Sequence, residues 1–442
     1  MVSRVKVENF KCFKEETVFD YRKTNYKLLE QNTMGNILKG VLFVGDNASG
    51  KTTAIQPLRL LLQLLFKDVD TKFVLYNCLF SDKEETRLEY EFVIEGHNIK
   101  YNFTFSSKEI LEEKLIIDKA VSFERAGKKV KFLLGKDEAY YEVDGSILFL
   151  KKLYFNTKFE GYDILKKWFI FLKQSICINA YTRNIVTYNG ESLIYNKYFE
   201  EEGTDNINAF LRENGFKYQI KYTKHIQKNN VSYFMDEDEE KMVFFEREEL
   251  GIPIPLMWES TGNKTLINIL PAILYSVEKG GLLIIDEFSS GFHNKLEELI
   301  VKYVMNRSCN TQMFLVSHST NLLSNSLLRP DQIYSVEMVA GKGSVLNRFS
   351  DEQPRVAQNL EKMYLSGVFG GIPEYGIGEE TIIHACNELK KYVKTSEIEF
   401  DIDNYLEINK SVFNEEEQYY ENNETYFFVI FNVLCIAGFR YF

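Results

Sequence analysis

A glycine-rich segment near the N-terminus most constrains how this chain folds. Residues 45–53, GDNASGKTT, fit the phosphate-binding pattern GxxxxGK[ST]. They follow an apolar run at residues 41–44 that is typical of a buried strand, and residues 51–65 have the apolar spacing of a helix. Glycines permit the tight turn that directs backbone N–H groups at phosphates, and a helix N-terminus adds its positive dipole. The segment therefore predicts a nucleotide-binding loop between a strand and a helix, rather than a plain glycine turn.

The roles expected within this loop follow from the chemistry of a nucleoside triphosphate. The Lys51 ammonium would reach the β- and γ-phosphates and assist catalysis, and the Thr52 hydroxyl would bind Mg²⁺. The residues predicted to contact the nucleotide are Gly45, Asp46, Asn47, Ala48, Ser49, Gly50, Lys51, Thr52 and Thr53.

A second motif, GLLIIDE at residues 281–287, is an apolar strand that ends in two carboxylates. Alone, it is equally well explained as a strand with a solvated end. Together with a phosphate loop, it predicts that Asp286 contacts Mg²⁺ and that the catalytic residue Glu287 orients or deprotonates the attacking water.

A third motif, MFLVSHS at residues 313–319, is a buried strand with a Ser-His pair at its end. Its position one strand after the two carboxylates favours His318 as a catalytic sensor of the γ-phosphate. The simpler alternative is a capping serine and a surface histidine before a helix over residues 321–328.

A fourth motif, ESTGN at residues 259–263, precedes a helix that is predicted to run to about residue 275. Ser260, Thr261 and Gly262 would present a hydroxyl and backbone donors at the helix N-terminus, where an anion is attracted. The alternative is an ordinary N-cap.

The order of these motifs resembles that of the ABC-type ATPase superfamily, with Ser260, Thr261 and Gly262 in the signature position. VKVENFKCF at residues 5–13 looks like the N-terminal strand of its SMC-like branch. Closer still, the chain resembles the stand-alone "AAA family ATPase / ATP-binding protein" group of prokaryotic abortive-infection and other antiphage loci. The matching segments are ESTG at 259–262, LIIDE at 283–287, FH at 292–293, SHS at 317–319, DQIY at 331–334 and YLSGVFGGIP at 364–373. The likeness covers residues 1–375, strongly at the ends and loosely between.

This resemblance implies an α/β fold of the ABC/SMC-ATPase type, a mixed sheet flanked by helices, and Mg²⁺-dependent ATP hydrolysis. One subunit would supply the phosphate loop, Asp286, Glu287 and His318, and its partner would supply the signature, so that ATP joins a head-to-tail homodimer or a higher homo-oligomer. ATP rather than GTP also follows from the resemblance, and the sequence has no NKxD base-reading motif.

The sequence departs from the family pattern at two points. Asn263 stands where a threonine is usual after the signature glycine. No glutamine loop is evident, and residues 77–82 are its expected place. Lys11 would contact a nucleotide phosphate by resemblance, and a solvated lysine on an edge strand is the equal alternative.

Composition narrows the cellular setting. The 442 residues carry a net charge of −11, which gives no support to a surface that binds nucleic acid. The six cysteines are scattered without a CxxC pair, which favours reduced thiols in the cytoplasm over a disulfide or zinc framework. The first residues lack the apolar core of a signal peptide.

The middle of the chain separates the two halves of the presumed ATPase. Alternating patterns at residues 87–95 and 101–105 predict a hairpin on the ATPase edge, and the dense apolar pattern at 147–178 is largely that of helices. Since no heptad repeat persists, we expect a compact, mainly helical insertion lobe rather than a coiled-coil arm. The predicted domains are 1–86 (phosphate-loop half), 87–255 (hairpin and insertion), 256–375 (second ATPase half) and 376–442 (C-terminal extension).

The C-terminal extension ends in an apolar tail at residues 426–439. This tail is shorter than a membrane span, so we expect it to pack against its own fold or a partner, and we expect no membrane association.

The combined interpretation is an ATP-driven dimerising switch. The resemblance implies a sensor or regulator of an antiphage system that controls a separate effector, such as a nuclease. Two alternatives are a DNA-repair or DNA-bridging ATPase and, with less support, the nucleotide-binding subunit of a transporter.

Overall fold

The computed structural model describes residues 1–68, 71–133, 139–228, 231–234, 241–290 and 292–372. The strands, in chain order, are β1 Val2–Glu8, β2 Thr17–Asp20, β3 Thr33–Met34, β4 Ile37–Leu38, β5 Gly40–Gly45, β6 Thr86–Ile94, β7 His97–Phe105, β8 Ile110–Ile117, β9 Ala120–Ala126, β10 Lys129–Phe132, β11 Ala139–Glu142, β12 Ile176–Asn179, β13 Asn184–Thr187, β14 Tyr218–Thr223, β15 His225–Lys228, β16 Val231–Phe234, β17 Met242–Arg247, β18 Ile254–Pro255, β19 Gly281–Asp286, β20 Thr311–Val316, β21 Ile333–Val339 and β22 Gly343–Arg348. The α-helices are α1 Lys51–Phe66, α2 Phe149–Thr157, α3 Asp163–Lys173, α4 Tyr195–Glu202, α5 Asp205–Glu213, α6 Thr261–Lys279, α7 Asn294–Arg307 and α8 Leu360–Leu365.

A seven-stranded mixed sheet positions the predicted motifs. Its strand order is β13-β12-β19-β20-β5-β21-β22, with the five inner strands parallel and the two edge strands antiparallel to their neighbours. Every residue of β5, β19 and β20 is buried, as expected for parallel strands covered on both faces. The carboxyl ends of these strands therefore meet at one edge of the sheet, where α/β proteins bind ligands.

The two faces of this sheet contact different layers. Alternate residues such as Phe43 and Ile284 pack with α1 and α3, whereas Leu42 and Ile285 pack with α6 and α7. Successive side chains of a strand point to opposite faces of the sheet, so an uninterrupted apolar run provides apolar side chains to both faces. Helices therefore cover both sides, and the predicted α/β fold class is confirmed.

A second, eight-stranded antiparallel sheet packs outside α1 and α3. Its order is β11-β10-β9-β8-β7-β6-β1-β2, and it contains the predicted hairpin as β6 and β7, paired from Ile94 with His97 outwards. The Tyr90 hydroxyl donates to the Pro57 carbonyl of α1 at 2.7 Å, and the fully buried Trp168 of α3 lies against this sheet. The sheet thus shares one continuous core with the phosphate-loop helix.

The expectation of a mainly helical insertion is wrong for the described part of residues 87–255. This region contains four helices but many more strands, and β12 belongs to the central sheet beside β19. A dense apolar pattern does not distinguish a short buried strand from a buried helix, which explains the error at residues 176–179. The boundaries 1–86, 87–255, 256–375 and 376–442 remain a proposal.

The helix expected over residues 321–328 is also wrong, because only a single 3₁₀ turn forms there, at Thr320–Leu322. The side chains that follow satisfy other groups: Ser324 hydrogen-bonds Ser326, and the Asn325 amide donates to two carbonyls of residues 356 and 358. Such local bonding by serine and asparagine competes with helix formation.

Several sequence predictions concern residues outside the described part of the chain. These are the C-terminal extension at 376–442, its apolar tail at 426–439 and the acidic segment DEDEE at 236–240, for which the sequence predicts a solvated loop. Among the described helices, none is long and apolar enough to span a membrane.

A buried ion pair in the antiparallel sheet gives a stability prediction. Glu113 and Arg125 have fully buried side chains, and the Glu113 carboxylate also accepts the first amides of α2 at 2.7 and 2.9 Å. Burial raises the pKa of Glu113 despite these partners. Arg125→Met should therefore lower the free energy of unfolding by about 3–5 kcal/mol, because it leaves an uncompensated buried charge.

The matched control is Lys114→Met, which breaks the exposed ion pair between Lys114 and Glu124 on the same two strands. Chemical denaturation should show a loss of about 0–1 kcal/mol for this control. Equal losses for both variants would contradict the assignment.

Candidate functional site

The predicted phosphate loop connects β5 to α1 at the carboxyl edge of the central sheet. Gly45 and Gly50 adopt φ angles of 151° and 105°, which side chains rarely tolerate. A Cβ on Gly45 would lie 2.3 Å from the Val336 carbonyl oxygen, and one on Gly50 would lie 2.6 Å from the Cys12 sulfur. The loop is therefore compressed between β21 and the N-terminal segment, and glycine is required at both ends.

Lys51 opens α1 and lies inside this loop, with 5% of its surface exposed. Its ammonium donates to the Asp46 carbonyl oxygen at 2.5 Å. Burial lowers the pKa of Lys51 to about 8, although the nearby carboxylates of Glu287, Asp46 and Asp286 act in the opposite direction. The buried Ser49 hydroxyl finds no hydrogen-bond partner among the described residues, so the loop is lined by donors that would suit phosphate oxygens.

Asp286 ends β19 beside the phosphate loop. The Thr52 hydroxyl donates to Asp286 Oδ1 at 3.1 Å, and Arg59 Nη1 lies 3.9 Å from Asp286 Oδ2. Asp286 is 3% exposed, and burial raises its pKa against the lowering effect of Arg59. A hydroxyl and a carboxylate are the hard oxygen ligands that Mg²⁺ prefers, so the pair fits this cation.

The described residues contain no group of three or more His, Cys, Asp or Glu side chains that would hold a metal without other ligands. Mg²⁺ commonly binds through one or two protein oxygens together with substrate phosphates. The Thr52–Asp286 pair therefore fits a cation that arrives with the nucleotide.

Glu287 follows with a left-handed backbone, at φ 54°. Its amide donates to Asp286 Oδ1 at 3.1 Å, which fixes this turn at the end of the strand. A glutamate in this conformation costs about 1–3 kcal/mol, and such strain concentrates at functional sites. The half-buried side chain is held at the sheet edge, within electrostatic reach of Lys51.

His318 lies at the same edge, after the end of β20. Its amide is 3.3 Å from the Ser289 hydroxyl, which joins the two strand ends. Partial burial and the charge of Lys51 lower the pKa of His318, which favours the neutral imidazole at pH 7. The imidazole is within electrostatic reach of Lys51 in the phosphate loop. The structure therefore brings Asp286, Glu287 and His318 within electrostatic reach of Lys51 at this edge.

Asn179 is a residue of this edge that the sequence analysis missed. It ends β12 in register with Asp286, and the Asp286 carbonyl accepts the amide of residue 180 at 3.0 Å. A cavity of about 20 Å³ between Asn179, Arg59 and Asp286 is large enough for one water. The sequence signal for Asn179 is the segment ICIN at residues 176–179, in which three apolar residues are followed by asparagine.

The expected place of a glutamine loop, residues 77–82, lies elsewhere: residues 77 and 78 pair with residues 10 and 9.

The signature residues stand on the surface at the start of α6. Ser260 and Thr261 are exposed, and the Ser260 hydroxyl caps the helix by accepting the Asn263 amide at 3.3 Å. Among the described residues, no hydrogen bond or ion pair joins Ser260, Thr261 or Gly262 to the phosphate loop of the same chain. Both the functional interpretation and the ordinary N-cap are compatible with this geometry.

Two further segments border the phosphate loop. Lys11 lies over the Tyr76 ring at 5.1 Å, and burial lowers its pKa to about 8. In the segment at residues 364–372, the Tyr364 hydroxyl donates to the Gly371 carbonyl at 2.8 Å, and Gly371 lies against Gly45. This segment thus supports the loop from the side of β21.

These features define the class. The strand bearing Asp286 is separated from the phosphate-loop strand by one parallel strand, whose end carries His318, which is the arrangement of an ABC/SMC-type P-loop ATPase fold. Residues 178–324 match the family described as "AAA domain, putative AbiEii toxin, Type IV TA system". The match covers less than half of the chain and includes the signature, Asp286, Glu287 and His318. It supports an ABC/SMC-like AAA ATPase domain.

Three solved structures are similar in fold. The SMC head domain from Thermotoga maritima is 13% identical with a TM-score of 0.42, covering 78% of this chain and 97% of its own. The Smc head bound to the C-terminal winged-helix domain of ScpA is 11% identical, with a TM-score of 0.47 and coverages of 80% and 99%. The Pyrococcus furiosus Smc head with an extended coiled coil, bound to the C-terminal domain of ScpA, is 10% identical, with a TM-score of 0.44 and coverages of 80% and 97%. None of the curated proteins matches this chain.

Proposed function

We propose that this chain is a Mg²⁺-dependent ATPase whose site is completed by the signature of a second copy. The observation that carries this proposal is the convergence of Lys51, Thr52, Asp286, Glu287 and His318 at one edge of the sheet. Mg²⁺, when bound with ATP, would neutralise charge on the β- and γ-phosphates.

The residues of the chain would divide the chemical work. The Lys51 ammonium would exchange the Asp46 carbonyl for phosphate oxygens, and the Thr52 and Asp286 oxygens would hold Mg²⁺. Glu287 accepts a proton from the attacking water, and neutral His318 donates a hydrogen bond to the γ-phosphate. Asn179, which pairs with Asp286 in the neighbouring strand, would orient a water near that carboxylate.

The shared site makes ATP the link between two copies. Ser260 and Thr261 are exposed rather than folded onto their own phosphate loop, so the signature of one copy is accessible to the nucleotide of another. ATP would stabilise a head-to-tail homodimer and hydrolysis would release it, giving a switch.

We further propose that this switch regulates a separate effector protein, such as a nuclease, in a cytoplasmic antiphage system. The family description names a putative toxin of a toxin–antitoxin system, which supports a defence setting. The net charge of −11 disfavours the DNA-bridging alternative.

Purification of the tagged chain from its native host, with ATP or with ADP, tests this role. We expect a soluble partner protein to be retained in one nucleotide state and lost in the other. Retention of duplex DNA in a salt-sensitive manner, or of a membrane permease, would contradict the regulatory role and select one of the two alternatives.

A further inference from the structure

A polar cluster behind the signature has no role in the predicted chemistry. Glu259 immediately precedes the signature and keeps only 5% of its side-chain surface exposed. Its Oε1 atom accepts Arg247 Nη1 at 2.5 Å, and its Oε2 atom accepts the Asn263 side-chain amide at 2.8 Å. The Ser260 amide also points to Oε2, at 3.3 Å.

This cluster replaces the reciprocal half of a capping box, while the Ser260 hydroxyl still accepts the Asn263 amide. In a capping box, the third helical residue reaches back to the N-cap amide with a long side chain. Asn263 occupies that position and is too short, so the Glu259 carboxylate receives both the Ser260 amide and the Asn263 side chain. The orientation of the exposed signature therefore depends on Glu259.

Asn263 is occupied at both ends of its side chain. Its oxygen accepts the Tyr218 hydroxyl at 3.1 Å, while its nitrogen donates to Glu259. The Asn263 side chain, which stands where the family usually has threonine, therefore binds groups at the start of α6 and not a ligand. Ser260 and Thr261 stay exposed at the start of α6.

The small sheet β14-β17-β18 supplies Arg247, the positively charged partner of Glu259. Tyr218 of β14 and Arg247 of β17 are direct cross-strand neighbours, and the Arg247 guanidinium lies 5.4 Å from the centre of the Tyr218 ring. Burial acts to raise the pKa of Glu259. The hydrogen bonds from Arg247 and Asn263, together with the charge of Arg247, outweigh burial and lower this pKa. Glu259 is thus a fixed anion beside the signature.

A fixed anion at that place would oppose the function proposed for the signature. A carboxylate next to Ser260 would repel the triphosphate of a facing copy, because like charges in a water-poor interface cost several kcal/mol. A partner cation cancels that repulsion.

We infer that Arg247 is a positioning residue for the shared ATP site: it neutralises and orients Glu259, so that the signature accepts the γ-phosphate bound by a second copy. The inference rests on the proposed function. The contact between the middle of the chain and the signature is then made by the small sheet through Arg247, and not by the helices that the sequence predicts for the insertion.

The test uses a Glu287→Gln background, in which ATP is retained, and measures the protein concentration for half-dimerisation by mass photometry. Adding Arg247→Met should raise that concentration by at least about tenfold. ATP affinity of the monomer, measured by calorimetry, should stay unchanged, because the phosphate loop is intact. Arg247→Lys should have an intermediate effect.

A second substitution distinguishes the effect of the unpaired Glu259 charge from a general loss of folding. Glu259→Gln added to Arg247→Met removes the unpaired anion and should recover most of the lost dimerisation. The matched control is Glu246→Gln, which breaks the Lys221 ion pair on the adjacent position of β17, on its opposite face. It should dimerise like the background.

The outcomes distinguish a failure of the proposed shared site from a failure of the role inferred for Arg247. If the background itself forms no ATP-dependent dimer, the shared site is wrong and this inference falls with it. If the background dimerises and Arg247→Met dimerises equally well, or if Glu259→Gln restores nothing, only the inference is overturned.

Discussion

Replacement of Glu287 by glutamine is expected to lower ATP turnover by about 10²–10³-fold, because the general base for the attacking water is lost. ATP binding should persist, since the phosphate loop and Asp286 remain. The variant should therefore accumulate as an ATP-bound dimer, visible by light scattering, and ADP should not produce this dimer.

The control for this variant is Glu278→Gln, which removes an exposed carboxylate paired with Lys279 at the end of α6. It should turn over ATP like the unaltered chain. A Glu287→Gln protein that remains monomeric in saturating ATP would contradict the switch, and one that hydrolyses ATP normally would remove Glu287 from the catalytic role.

Replacement of Lys51 by alanine should have the second large effect. The ammonium is buried in the loop and forms charged hydrogen bonds to phosphate in the proposed complex, each worth about 1.5–3 kcal/mol, or about 10- to 150-fold in affinity. Calorimetry should show this loss of ATP binding, with the melting temperature maintained. Lys167→Ala, an exposed lysine of α3 paired with Glu95, is the control.

Much of the candidate site could be predicted from the sequence because its parts are local. The buried strand, the glycines and the start of α1 form one continuous signal around residues 45–53, and the strands before Asp286 and His318 are uninterrupted apolar runs. The helix that begins at Thr261 was likewise predicted, although it extends to Lys279 rather than to about residue 275.

The parts that sequence missed depend on contacts between distant segments. The strand β12 has four residues inside a dense apolar stretch, and only its pairing with β19 distinguishes it from a helix end. For the same reason, Asn179 was not recognised beside Asp286. The Arg247–Glu259 pair joins two segments that no periodicity relates, so the charge balance of the signature becomes visible only in the folded chain.

The central claim is that one ATP site contains residues of two copies. It can be tested by mixing two inactive variants, Lys51→Ala, which lacks a working phosphate loop, and Ser260→Arg, which blocks the signature. In a mixed dimer, the phosphate loop of the second variant faces the intact signature of the first. One complete site then forms.

The measurement is the ATPase rate of each variant alone and of their equimolar mixture, at the same total concentration and after confirming that both are folded. The account predicts little activity for either variant alone and recovery to about a quarter of the unaltered rate in the mixture, as expected for random exchange within a twofold dimer. A mixture no more active than its separate components, under conditions in which the unaltered chain dimerises and exchanges subunits, would contradict the shared site.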